Sequence, residues 1–155
     1  MVEYFKRLSN NEVELMLKAP LLVCILIAGA DGTIDNNEIE EAILLAREQA
    51  ESESPLTEYF REASQDFEDK LKIVIQSYPY EASQRIPIIV EELGELNTIL
   101  SKLDRKFAIQ FYNTLKVIAE KIASSSGGLL GIHTIGEEEA KYVKLEMILD
   151  PGTKQ

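Results

Sequence analysis

"PLLVCILIAGADGTIDNNEIEEA", residues 20–42, joins two unlike segments at a glycine-bearing turn. The first part is apolar on every side. A helix of that kind needs neighbours all round, so it is predicted to form the centre of a helical bundle. Pro20 reads as the first residue of this helix, where its missing N–H does no harm. The second part is acidic and then periodic. Ile39, Ala42, Ile43 and Ala46 recur at spacings of three and four, which predicts an amphipathic helix from Asn36 to about Ala50.

The segments on either side repeat the helical pattern, and none alternates like a strand. "SNNE" at Ser9–Glu12 has capping-box spacing and predicts a short helix from Asn10 to Lys18. Pro55 opens a short helix to about Ala63. Another, with Phe67, Leu71, Val74 and Ile75 on one face, runs to about Tyr78. "SYPY" is a turn. A longer helix spans about Glu81 to Leu103, with Ile86, Ile89, Leu93, Leu96, Leu100 and Leu103 as its buried stripe and Pro87 near its start or at a kink. Asp104 caps the next helix, whose face is Ala108, Phe111, Tyr112, Leu115, Ile118, Ala119 and Ile122. "SSSGGLLGIHT" ends it, and a last helix runs from about Glu137 to Leu149, before Pro151. The expectation is an all-α, single-domain bundle of seven or eight helices over residues 1–155.

The bulk properties narrow the functional classes. The chain has 155 residues, 45% hydrophobic and 28% charged, which suits one soluble domain with a real core. Its formal net charge is −11. An acidic surface cannot release counterions from nucleic acid and is repelled by anionic membranes; it suits cations or a basic protein partner. The apolar run Leu21–Ala28 is too short to cross a bilayer, and "MVEYFKRLSNN" has no signal-peptide core. The single cysteine, Cys24, lies among apolar neighbours and reads as a buried, inert thiol. A cytoplasmic protein is expected.

The acidic turn has two readings. With Gly32 placed at the glycine of an EF-hand loop, Asp31, Thr33, Asp35 and Glu38 fall at ligand positions, Thr33 through its carbonyl oxygen. Ile27 and Gly29 then occupy the first two ligand positions and offer no side-chain oxygen, so any ion has about three carboxylates, a backbone oxygen and water. Without an ion, Asp31-Gly32 is a turn pair, Asp35 an N-cap, and Glu38 its capping-box partner. Both readings use every acid.

The chain also repeats itself weakly. "IAGADG" (Ile27–Gly32) matches "IASSSG" (Ile122–Gly127), and "TIDNNEIEEA" (Thr33–Ala42) matches "TIGEEEAKYV" (Thr134–Val143), with "GLLGIH" inserted between the second pair. The halves are approximately 10–78 and 81–149. Ser126 stands for Asp31 and Gly136 for Asp35; Glu38 alone keeps a carboxylate counterpart, Glu139. If the two turns face one another, Glu137, Glu138 and Glu139 can add oxygens to the first.

"ADGTIDNNEIE" after an apolar helix, with a second S-G-G…I-x-E-E-E near the C-terminus, resembles the TerB-like family, the tellurite-resistance B group. The resemblance covers about Asn11 to Leu149. It implies an internally duplicated helical bundle with an acidic face that takes divalent cations; the oxygen ligands of the first turn suit a hard one, Ca²⁺ or Mg²⁺. Modules of this kind occur in bacterial stress systems and beside J-domains, as binding parts and not as catalysts. Matched residue by residue, it gives Asp31, Asp35 and Glu38 as the acids of the first motif and Glu139 as that of the second.

Catalytic signatures are sparse. His133 is the one histidine, in a glycine-rich insertion. No H-E-x-x-H, paired Cys or G-x-S-x-G occurs, and "SSSGG" lacks the lysine of a phosphate loop. The expectation is a non-enzyme, either an ion-binding module or a metal-free acidic scaffold for a protein partner. Most aromatic residues sit on apolar faces; "YPY" at Tyr78–Tyr80 is the exception, and its turn is a candidate partner surface.

Overall fold

The computed structural model describes residues 5–28, 44, 48, 57–63, 65–125 and 142–153. The described residues form helices joined by turns and contain no strand, as an all-α chain requires. The helices are α1 (Asn10–Ala28), α2 (Thr57–Ala63), α3 (Phe67–Gln76), α4 (Ala82–Gly94), α5 (Leu96–Leu100) and α6 (Arg105–Ser125), followed by a 3₁₀ turn at Pro151–Thr153. Leu44 and Glu48 are helical too, at two positions of the helix expected from Asn36. The count of seven or eight helices and the duplication involve residues 29–43 and 126–141, outside the described residues.

The capping box forms as its spacing demands. Ser9 N–H donates to Glu12 Oε1 at 2.9 Å, and Glu12 N–H donates to Ser9 Oγ at 3.2 Å. The helix it starts does not stop at Lys18. α1 runs unbroken for 19 residues with Pro20 inside it, so the two predicted helices are one. An internal proline leaves the carbonyl four residues earlier without its helical donor, here that of Met16. Tyr59, on α2, supplies the replacement: its hydroxyl donates to Met16 O at 2.5 Å, in the buried interior. A side chain 43 residues away thus removes the reason for the helix to break.

Every residue of α1 from Ala19 to Ala28 is buried, and α1 touches each of the other described helices. It is the central element that its all-round apolarity predicted. Its extended partner is α6, whose predicted face, Ala108, Phe111, Tyr112, Leu115, Ile118, Ala119 and Ile122, is entirely buried. Asp104 caps α6 through Oδ2, which accepts from Phe107 N–H at 3.1 Å. An aromatic cluster closes one end of this pair. Tyr59 packs edge-on against Phe60, Phe111, Phe5 and Phe107, with ring centroids 4.7, 5.4, 6.0 and 6.3 Å away.

The helix expected over Glu81–Leu103 is divided at Glu95, whose N–H donates to Glu92 O at 3.0 Å, a tighter turn between α4 and α5. Pro87 lies within α4. The predicted stripe is buried except for Ile86, which is half-buried. α3 begins after Asp66, held left-handed at φ 53°, a conformation aspartate tolerates better than most residues.

The helix expected to reach Leu149 is a correction. Residues 142–150 form successive turns. Asn97 on α5 decides this. Its Nδ2 donates to Met147 O at 3.0 Å, and its Oδ1 accepts from Leu149 N–H at 2.7 Å. Both backbone groups are therefore satisfied across the fold, not along a helix. Leu145 adopts φ 50°. That costs a leucine about 1–2 kcal/mol. Its side chain is fully buried, which contributes about 1.5–3 kcal/mol and offsets the strain. Arg105 Nη2 ties the end of the segment by donating to Gly152 O at 3.1 Å. Asn97→Ala is expected to cost about 1–3 kcal/mol and to raise amide exchange at Leu149 ahead of α6; equal protection at Leu149 in variant and wild type would refute the clamp.

Candidate functional site

Asp31, Thr33, Asp35, Glu38 and Glu139, the predicted ion ligands, lie outside the described residues, as do Glu137, Glu138 and His133. The described helices fix where the two motif segments attach. Lys102, just before α6, donates to Glu12 in the first turn of α1 at 2.6 Å. The Phe5 ring, before α1, lies 6.1 Å from that of Phe107 in the first turn of α6. Two helices that begin together and pack along one another run in the same sense. α1 and α6 have 19 and 21 residues, each about 30 Å of helix. They therefore deliver Ala28 and Ser125 toward the same end of the bundle, away from the Glu12–Lys102 bridge. Residues 29–41 and 126–141, which carry the two motifs, are attached there.

A second constellation surrounds the "SYPY" turn. The Tyr78 hydroxyl donates to Glu92 Oε1 in a short hydrogen bond. Lys18 Nζ, on α1, donates to the other oxygen of Glu92 at 3.3 Å and lies 5.3 Å from the centre of the Tyr78 ring. Burial raises the Tyr78 pKa, and the hydrogen bond to Glu92 raises it further. For Lys18, burial works against the charge, but Tyr78 and Glu92 outweigh it and the pKa rises. Tyr78 and Lys18 thus keep their protons and donate them to the two oxygens of Glu92, a knot between α1, the turn and α4.

Arg85 completes the turn from the other side. It is 4% exposed and is the buried charged residue among the described ones. Its Nη1 donates to Tyr80 O at 2.7 Å and to Pro79 O at 3.4 Å. Burying a guanidinium is costly unless it is well hydrogen-bonded, and here it fixes the backbone of the turn. The Tyr80 side chain nevertheless points away from the core and is 87% exposed. Sequence patterning offered no sign of these roles. Lys18 and Glu92 are 74 positions apart, and Arg85 sits on a helix whose other basic positions are absent.

Cys24 is fully enclosed, and burial pushes its thiol pKa up to about 12, which keeps it protonated and unreactive. Among the described residues, no three His, Cys, Asp or Glu side chains are placed to hold a metal ion. No helix among the described residues is long and apolar enough to cross a membrane. No family model, curated protein or solved structure matches the chain.

Proposed function

We propose that the chain is a non-enzymatic, TerB-like binding module of a bacterial-type cytoplasm, connected with stress response, whose acidic turn takes Ca²⁺ or Mg²⁺. The ligands are Asp31, Asp35, Glu38 and the carbonyl of Thr33, with Glu139 contributed from the second motif. One observation carries this reading: α1 and α6 begin together and run the same way, so both motif segments are attached at one end of the bundle. An all-oxygen, carboxylate-rich set favours a hard cation over a soft one. The enclosed, lone Cys24 accords with a reducing compartment.

Titration calorimetry with Ca²⁺, Mg²⁺ and Mn²⁺ tests it. Saturable heat is expected for the wild type and none for Asp31→Asn/Glu38→Gln. At a hundredfold excess over Kd the ion should add about 2.7 kcal/mol of stability to the wild type. Absence of heat with an unchanged melting temperature overturns the ion site.

A second reading is a metal-free acidic scaffold for a protein partner. It is favoured by α4 and its flanks, where Glu81, Glu91 and Glu95 are exposed and the basic residue Arg85 is turned inward.

A further inference from the structure

The Arg85 clamp bears on more than the stability of one turn. It holds the backbone of Tyr80 in place while the ring stands in solvent. A tyrosine on a fixed backbone gives a partner a large, amphipathic contact at low cost in conformational entropy. Beside it runs a stripe of exposed residues, Glu81, Gln84, Ile88, Glu91 and Glu95. Their spacing of three, four, three and four puts them along one side of α4, over about 21 Å. Ile88, at mid-stripe, is 41% exposed. Arg85, the basic residue between Glu81 and Glu95, is buried, so no exposed cation within that span interrupts the negative stripe.

We propose that this side of α4, with Tyr80 at its head, docks a basic amphipathic helix from a partner protein. The inference rests on the scaffold reading and gives it a surface and a partner chemistry. An apolar residue of the partner packs between Tyr80 and Ile88, and flanking Lys or Arg side chains pair with Glu81, Glu91 and Glu95. The apolar contacts supply most of the affinity, and the charges set orientation and encounter rate.

The probe is an amidated helical peptide with leucine along one face and lysine elsewhere, titrated into the ¹⁵N-labelled full chain with EDTA present, at about 0.15 M salt where exposed charges are screened beyond ~8 Å. Saturable binding is expected, with shifts concentrated at residues 80–95 and none for the same peptide with glutamate replacing lysine. Tyr80→Ala/Ile88→Ser and Glu91→Lys/Glu95→Lys should each weaken binding about tenfold or more. All four side chains are exposed, and circular dichroism checks that the helices remain. Undiminished affinity in both variants, or shifts spread evenly over the acidic surface, overturns this site and leaves the scaffold reading standing. No saturable binding at all overturns both. EDTA keeps every outcome separate from the cation titration.

Discussion

Tyr59→Ala is expected to destabilise the protein by about 3–5 kcal/mol, the range for emptying a large aromatic site in a core. The side chain is wholly buried and packs edge-on against the rings of Phe5, Phe60, Phe107 and Phe111. It also donates to the Met16 carbonyl that Pro20 leaves without a helical partner. Tyr59→Phe keeps the packing and removes only the donor, which should cost about 1–3 kcal/mol because the carbonyl is then buried and unpaired. Pro20→Ala restores a backbone donor to Met16. In that background Tyr59→Phe should cost markedly less, and urea denaturation of the four proteins of this cycle gives the coupling directly. Additive costs would show that the hydroxyl does not answer to the proline.

Arg85→Met should cost about 1.5–3 kcal/mol, the scale of hydrogen bonds to a charged group. Two effects oppose one another. Methionine spares the fold the burial of a cation, but Pro79 O and Tyr80 O lose their donor. The donor loss prevails because the carbonyls remain while the charge is replaced. The change should also act locally. Pro79 blocks chymotrypsin after Tyr78, so cleavage after Tyr80 reports the opening of this turn alone. Faster cleavage there, under conditions where the rest of the fold resists, is the expected result. Unchanged stability together with an unchanged cleavage rate would remove the clamp.

Two caps within the described residues follow from short-range spacing, whereas contacts between distant segments leave no such signal. Ser9 and Glu12 satisfy each other, and Asp104 accepts from Phe107 N–H, each within one helical turn, so local residue type and spacing predict both caps. The burial of α1 follows from its all-round apolarity, and the buried face of α6 from its apolar periodicity. The local meaning of Pro20, a helix start, is overridden by a hydroxyl from another helix. The stretch 142–150 departs from its pattern for a related reason: Val143 and Met147 carry helical spacing, yet one asparagine amide on α5 takes Met147 O and Leu149 N–H out of any helical ladder. Arg85 looks like an ordinary surface residue of an amphipathic helix, because backbone carbonyls, here those of Pro79 and Tyr80, carry no residue-type signal. The proposed ion ligands were legible as an acidic pattern, and their geometry falls outside the described residues.

The bond from Tyr59 to Met16 also bears on the order in which the chain acquires structure. Until residue 59 exists and has docked, the middle of α1 carries a carbonyl that neither its own backbone nor any neighbour can satisfy away from water. The middle of α1 is thus complete only once the segment that carries Tyr59 has packed on it. Its two halves are joined by a contact that closes a loop of 43 residues, so the continuity of the central rod depends on tertiary packing and not on local helix formation alone.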